Sequence, residues 1–170
     1  MESHEQKADS ARTDLANRVF FRLYQCANML HKTGTKAVES EGLTTQQWAV
    51  LGALSRPATG GAMSVGDLAR YLKVSRQNLS GLLSRMERDG RIQTEADARD
   101  RRSRLVSMTA EGRRVWQDAA QPKIHGYYEQ VLEGFSVNDI THTLHYLLKI
   151  LENMQRVDDR QGGGEGAQQD

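Results

Sequence analysis

The 170-residue sequence contains a single cysteine, no long apolar run and almost no net charge. One cysteine cannot form an intrachain disulfide, which excludes a disulfide-stabilised secreted domain and agrees with a reducing compartment. No stretch of about 18 apolar residues is present to span a membrane, and the first residues lack the apolar segment of a secretory signal peptide. We therefore expect a cytoplasmic protein. The net charge of +1 by itself indicates no nucleic-acid partner.

The charges are unevenly distributed along the chain. The segment from Arg70 to Arg104 holds ten of the 23 lysines and arginines but only five of the 22 acidic residues, so it carries +5 and the remainder −4. A basic patch on an otherwise mildly acidic protein orients that protein toward phosphate groups.

Two short helices joined by a turn are predicted at the start of this segment. Ser64 begins the first helix, residues 64–72, with a capping box that accepts free backbone N–H groups. After a turn over residues 73–75, Ser75 caps a second helix over residues 76–89, which Gly90 ends. One stripe of this second helix has the apolar spacing of a buried face, namely Leu79, Leu82, Leu83 and Met86.

The opposite face of the second helix carries small or hydrogen-bonding residues, which suit a helix that enters a major groove and meets base edges. Alternative roles exist: Asn78 can serve the helix N-terminus, and Arg85 can pair with Glu87 or Asp89. The candidates for base contact are Gln77, Asn78, Ser80 and Ser84, and those for phosphate contact are Arg76, Arg85 and Arg88, with Ser75 at the helix start.

A β-hairpin over residues 91–108 follows the second helix. Its tip holds three arginines and two aspartates within seven residues, so local ion pairs can orient the cations. Arginines of this kind are attracted to a narrow minor groove. The plain alternative is a solvated hairpin of mixed charge. The candidate DNA-binding residues of the tip are Asp97, Arg99, Arg101 and Arg102.

These motifs resemble those of the MarR family of bacterial winged-helix transcriptional regulators. The resemblance lies in the Asp97-x-Arg-Asp-Arg-Arg tip, the Thr109-x-x-Gly112 exit and the Ser75-Arg-Gln-Asn-Leu-Ser helix, and it extends from about Leu15 to Val157. It implies a winged helix-turn-helix inserted between terminal helices that intertwine with those of a second subunit. Such a homodimer binds double-stranded DNA at an inverted repeat with half-sites about one helical turn apart.

The chain organisation fits this expectation. Apolar residues at helical spacing over residues 11–41 predict a helix about 45 Å long, which one small domain cannot bury. We predict that residues 11–41 and 110–157 are dimerisation helices around a DNA-binding domain, residues 42–109. Residues 1–10 and 158–170 are expected to be disordered. The predicted fold class is mainly α with a small β-hairpin wing.

The first helix also carries a candidate effector site. Arg18 and Arg22 lie one turn apart, and two guanidinium groups so placed repel each other unless an anion joins them. The segments 42–56 and 75–82 resemble MarR-type repressors of aromatic-acid catabolism, which respond to aromatic carboxylates or their aryl-CoA thioesters. A solvated helix face and ordinary core aromatics are the alternative. The candidate ligand-binding residues are Arg18, Phe21, Arg22, Tyr24, Gln25, Met29 and Trp48.

Other sensing chemistries have weaker signals. Cys26 is six positions from the place where peroxide-sensing relatives carry their cysteine, and it falls on or beside the apolar stripe, where a thiol is inert. His142 and His145 have metal-ligand spacing, with His125 elsewhere in the same region, but no acidic or cysteine ligand accompanies them. We predict no metal and no cofactor.

The predicted class is a regulator rather than an enzyme. None of the five histidines lies in the context of a catalytic triad, and no glycine-rich phosphate loop is present. The prediction is a ligand-responsive repressor that leaves its operator when a small aromatic acid or aryl-CoA binds. A redox sensor of the same fold and an architectural DNA-binding protein without an effector are the alternatives.

Overall fold

The computed structural model describes residues 4–98 and 103–162. Within them the chain is mainly helical, with one three-stranded antiparallel sheet in the order β1-β3-β2, and this confirms the predicted fold class. The helices are α1 (His4–Val38), α2 (Thr45–Leu54), α3 (Val65–Leu72), α4 (Arg76–Arg88), α5 (Ala110–Arg114), α6 (Gln121–Val131) and α7 (Val137–Gly162), and the strands are β1 (Ala62–Ser64), β2 (Ile92–Ala96) and β3 (Arg104–Met108).

The chain divides into two compact units, residues 1–127 and 128–170. The first unit has one continuous hydrophobic core, which α2, α4, the sheet and the C-terminal end of α1 share. In the second unit, residues 133–161 include no buried side chain, and only Ile150 and Gln155 are half-buried. No described helix combines the length and the apolar character needed to cross a membrane.

Helix α1 begins at His4, seven residues before the predicted start, so residues 4–10 are helical where we expected disorder. Most of the helix is exposed, and its contribution to the core comes from the C-terminal end, where Val38 is fully buried. A short 3-10 turn, Glu39–Glu41, follows, and Gly42 ends it with a φ of 67°. This confirms Gly42 as the break between the first two helices.

Helix α2 carries much of the core. Thr44 and Gln47 form a capping box at its start, because Thr44 accepts from the Gln47 backbone N–H and the Gln47 side chain accepts from the Thr44 N–H. Trp48, Leu51 and Leu54 are buried. The composition of residues 55–62, with one proline and two glycines, predicts a loop, but strand β1 begins at Ala62 and pairs with β3.

The helical segment after the hairpin is interrupted. Thr109 caps α5, as predicted, by accepting the Gly112 N–H at 2.9 Å. A π-helical stretch, Val115–Ala120, then separates α5 from α6. Pro122, where the sequence predicts a bend, follows this stretch, and proline disturbs helices because it lacks an N–H and its ring crowds the carbonyl four residues earlier. Helix α7 starts with a capping box, in which Ser136 and Asp139 exchange hydrogen bonds, and it continues past residue 157, the predicted end, to Gly162.

Candidate nucleic-acid interface

Serine side chains cap the N-terminal ends of both α3 and α4. The Ser64 hydroxyl accepts the Asp67 N–H at 3.0 Å and donates to the Asp67 carboxylate at 2.6 Å, so Ser64 caps α3 as predicted, with the Asp67 carboxylate bound to the hydroxyl and not to the Ser64 N–H of a full capping box. Lys73 ends α3 in the left-handed region, with a φ of 57°. Ser75 then accepts the Asn78 N–H at 3.2 Å and starts α4. The helix-turn-helix predicted from the sequence is therefore present.

Helix α4 presents one face to the core and the other to solvent. Leu79, Leu83 and Met86 are 1%, 4% and 0% exposed, which confirms the buried stripe. The opposite face is exposed. The exposed residues of α4 include seven of the predicted DNA-binding candidates, namely Arg76, Gln77, Asn78, Ser80, Ser84, Arg85 and Arg88, and Ser75 at the cap is exposed with them.

The two serine hydroxyls of this face are oriented by their own helix. Ser80 donates to the carbonyl of Arg76 at 2.8 Å, and Ser84 donates to the carbonyl of Ser80 at 3.0 Å. Each hydroxyl has one proton to donate, so its remaining capacity is that of an acceptor. In a major groove, oxygens so oriented are suited to the amino groups of adenine and cytosine.

The arginines of α4 differ in how they are held. The Arg76 side chain passes over the start of α3, where a methyl group on Gly66 would lie 3.1 Å from its guanidinium, so the absence of a side chain at Gly66 makes room for it. Arg88 pairs with Asp89 at 3.7 Å. The ion pair with Asp89, which was an alternative role for Arg85, is therefore formed by Arg88.

The hairpin has the predicted order of strand, tip and strand. Residues 92–96 pair with residues 104–108 in antiparallel register, and the Asp97 N–H donates to the Ser103 carbonyl at 3.0 Å beyond the last pair. Asp97 is half-buried. The other predicted tip residues, Arg99, Arg101 and Arg102, lie outside the described residues.

Arg91 joins the base of the hairpin to α5, a role that its sequence position does not indicate. Its carbonyl accepts the Thr109 N–H at 3.2 Å, and its guanidinium donates to the Glu41 carbonyl at 3.1 Å and to the Glu111 carboxylate at 3.3 Å. A methyl group on Gly112 would overlap the Arg91 carbonyl oxygen. The Thr109-x-x-Gly112 motif therefore has a structural reason: the threonine caps α5, and the glycine admits the hairpin backbone.

Ion pairs surround this junction. Lys123 donates to the carboxylate of Glu41 and, at 2.6 Å, to the Ser40 hydroxyl. The hydrogen bond from Lys123 to Glu41 lowers the pKa of the Glu41 carboxyl. Arg114 donates twice to Glu111, at 2.8 and 2.9 Å, and lowers the pKa of that carboxyl in the same way. Both acids are therefore held in their charged forms.

The predicted effector residues fall into two environments. Arg22 donates to Gln25 at 2.7 Å on the surface of α1, and Phe21, Tyr24 and Met29 are exposed there. Arg18 is exposed on the same helix. Trp48, in contrast, is buried against Tyr127 with ring centroids 6.0 Å apart, so the structure does not bring it to this exposed group.

The structure bears on two other sensing chemistries, cysteine oxidation and metal binding. Cys26 is exposed in the subunit, which differs from the sequence expectation of a position on or beside a buried stripe. Among residues 4–98 and 103–162, no three His, Cys, Asp or Glu side chains lie close enough to share a metal ion.

Comparison with known proteins agrees with these features. The MarR family profile matches residues 41–103. The chain is 71% identical to the transcriptional activatory protein BadR of Rhodopseudomonas palustris, over 92% of this chain and 89% of that protein. It is 33% identical to the homoprotocatechuate degradative operon repressor of Escherichia coli, over 65% of this chain and 72% of that protein.

Solved structures agree as well. AbsC, a MarR family transcriptional regulator from Streptomyces coelicolor, superposes with a TM-score of 0.73 at 22% identity, over 84% of this chain and 95% of that one. The fold, the family profile and the extended identity to named transcription regulators lead to one conclusion. This chain belongs to the MarR family of winged-helix transcriptional regulators.

Proposed function

We propose that this regulator binds an inverted-repeat operator as a homodimer and changes its DNA affinity when it binds an aromatic carboxylate or the corresponding aryl-CoA thioester. The observation that carries the DNA-binding part is the exposed polar face of α4, which is followed in the chain by a hairpin with three arginines in its tip sequence. The helix supplies base contacts and the arginines supply minor-groove or phosphate contacts. The proposal places the protein in the cytoplasm and gives it no catalytic role, because the relatives above are named as regulators.

The homodimer is supported by apolar side chains that the single subunit leaves in solvent. On α1, Leu15, Val19 and Phe20 are about half exposed, and on α7 Leu144, Leu147 and Leu148 are 56%, 45% and 50% exposed. An apolar stripe of this extent is stabilised when a second copy covers it. A two-fold axis then presents two α4 helices to half-sites about one helical turn apart.

The direction of regulation follows the more similar relative. The sequence favoured repression, as in regulators of aromatic-acid catabolism. The 71% identity to a protein named an activator favours activation, whereas the relative named a repressor is 33% identical. We therefore propose that the chain activates transcription from its operator.

The effector class is supported by the exposed group on α1 and by one relative. Arg18 and Arg22 provide cationic surface for a carboxylate or a phosphate-bearing CoA, and Phe21 and Tyr24 provide apolar surface for an aromatic ring. The second relative is named for homoprotocatechuate, itself an aromatic carboxylate. Exposed Cys26 lies on the same helix, so oxidation is the competing input.

The DNA part is tested by fluorescence anisotropy with duplexes from the region upstream of the coding sequence. We expect an inverted repeat to bind far more tightly than one half-site, and Arg101→Ala to reduce the slope of log K against log salt by about 0.9. Arg12→Ala, which removes the same charge from the far end of α1, serves as the control. An unchanged slope for Arg101→Ala would contradict the contact at the hairpin tip.

The effector part is tested in the same assay. Benzoate, benzoyl-CoA and free CoA are titrated against the protein–DNA complex, with peroxide as a separate arm. We expect the aromatic acid or its thioester to change DNA affinity by about 5- to 150-fold, while free CoA has no effect. A response to peroxide that Cys26→Ser abolishes would favour the redox alternative. If none of these compounds changes the DNA affinity, the effector proposal is wrong, and the DNA-binding proposal is unaffected.

A further inference from the structure

We infer that Glu87 is a positioning residue for DNA binding: from the recognition helix α4 it holds the wing hairpin at a fixed angle, so that the arginine tip and the polar helix face meet the same duplex. The inference rests on the proposed function, because it assumes that both elements contact DNA. Glu87 lies one residue before Arg88 and one turn after Ser84, two of the candidate DNA contacts.

The contact consists of two hydrogen bonds to one residue of the hairpin. The carboxylate oxygen Oε1 of Glu87 accepts the Thr94 backbone N–H at 3.1 Å and the Thr94 hydroxyl at 2.6 Å. Thr94 is the middle residue of β2 and pairs with Val106 of β3. Two hydrogen bonds to an ionised acceptor restrict both the position and the rotation of a strand more than one bond would.

The second strand is joined to the same point by Arg104. Its guanidinium donates to the Thr94 hydroxyl oxygen and, at 3.4 Å, to the Thr94 carbonyl. The Thr94 hydroxyl therefore donates to Glu87 and accepts from Arg104, which uses its hydrogen-bonding capacity in both directions. Arg104 contributes to the positive charge of the segment, but in this structure its side chain binds the hairpin itself.

The other contacts between α4 and the hairpin are a backbone hydrogen bond at the base, from the Arg91 N–H to the Met86 carbonyl at 2.9 Å, and apolar packing. Met86 and Ile92 are buried at the junction and supply non-directional attraction. Strand β3 is also held by its pairing with β1, which reaches Val106 opposite Thr94. The Glu87–Thr94–Arg104 chain adds a directional constraint on β2, the strand at the edge of the sheet, close to the side that carries the candidate DNA contacts.

Charge alone predicts the opposite effect of removing Glu87, and this makes the inference testable. A carboxylate near a DNA-binding surface repels phosphates, so its removal should tighten DNA binding. If Glu87 positions the hairpin, Glu87→Ala should instead weaken binding by about fivefold, the equivalent of one net hydrogen bond. Glu87→Gln removes the charge but keeps a side-chain oxygen that accepts from Thr94, so it should bind at least as tightly as the wild type.

A matched control is available at the residue next to the hydrogen-bonded threonine. Glu95 lies on the same strand, is exposed, and accepts from Gln93 at 3.2 Å without reaching α4. Glu95→Ala should leave binding unchanged or tighten it. Thr94→Val removes the hydroxyl but keeps the N–H, so it should fall between Glu87→Ala and the wild type. Thermal unfolding of each dimeric variant shows whether a loss of binding reflects misfolding.

The decisive measurement is the double variant Glu87→Ala/Arg101→Ala. If Glu87 acts through the hairpin tip, its substitution should have little further effect once Arg101 is absent. The inference is overturned if Glu87→Ala binds DNA as tightly as Glu95→Ala, or if its full effect persists in the Arg101→Ala background. Should Arg101→Ala by itself leave binding unchanged, the proposed tip contact fails first and the positioning role falls with it.

Discussion

Helices α4 and α7 carry similar leucine-rich stripes, yet the single subunit buries one and exposes the other. Leu79 and Leu83 of α4 are 1% and 4% exposed, whereas Leu147 and Leu151 of α7 are 45% and 40% exposed. The stripe of α4 is covered by α2, α3 and the sheet of its own chain. The stripe of α7 has no such cover among the described residues of its own unit, so the same sequence pattern forms a buried core face in one case and an exposed apolar face in the other.

Helix α1 contains both situations along its length. Val38, near its end, is fully buried in the core, while Leu15, six turns earlier, is 57% exposed. The helix therefore begins as a candidate association surface and ends as part of the DNA-binding unit.

The largest expected effect comes from Leu147→Glu, which places a charge in the exposed leucine stripe of α7. Two leucines leave the proposed dimer interface, and at about 2 kcal/mol each the dimer should weaken at least about a thousandfold. Sedimentation equilibrium measures the change. Lys149→Glu places the same carboxylate on the opposite face of α7 and should leave the dimer intact. Equal dimer stability for the two variants would mean that the stripe is not an interface.

Gly112→Ala tests the buried packing of the first unit, at the point where α5 meets the base of the hairpin. The added methyl group would overlap the Arg91 carbonyl oxygen and lie 2.8 Å from its carbonyl carbon, and neither atom can move as a flexible side chain would. We expect a loss of about 3 kcal/mol in the free energy of unfolding, as for other overpacked sites. Near-UV circular dichroism follows the event, because both tryptophans, Trp48 and Trp116, lie in this core.

Gly126→Ala is the matched control for that substitution. Its added methyl group meets nothing within 4 Å, and alanine favours a helix over glycine by up to about 1 kcal/mol. The control should therefore be neutral or stabilising. If Gly112→Ala behaved like Gly126→Ala, the close approach of the hairpin backbone to α5 would not be a feature of the folded protein.

Short-range chemistry explains which parts of the fold are predictable from the sequence. Ser64, Ser75, Thr109 and Ser136 each cap a helix within three residues, and the stripe of α4 follows from helical spacing alone. Strand β1 was missed because it is three residues long and depends on pairing with β3, about 43 positions away. The early start of α1 was missed because residues 4–10 lack the apolar spacing that was used as the signal.

The candidate interface divides in the same way. The polar face of α4 was predictable, since a helix with one buried stripe must expose the other side. The Glu87–Thr94–Arg104 contacts were not, because they require both the hairpin register and the angle at which the hairpin lies on α4. Trp48 shows the converse: an aromatic residue proposed for the effector site is part of the core.

The smallest expected effect concerns the ion pair between Lys123 of α6 and Glu41, which lies in the turn just after α1. Because this contact lowers the folded-state pKa of Glu41 below its ordinary value of 4.5, the pair stabilises the folded state at neutral pH. The contribution is lost as the pH falls through the lowered pKa. Lys123→Met should raise the pKa of Glu41 and make this part of the acid dependence disappear.

Carbon-detected NMR titration of the glutamate carboxyls measures that shift directly. Glu111 is the internal control, because Arg114 rather than Lys123 lowers its pKa, and its titration should be the same in both proteins. Parallel shifts of the two carboxyls would indicate a general rearrangement of the junction. A change confined to Glu41 would show that the end of α1 is tied to α6 by a local ion pair, one that a movement of either helix must break.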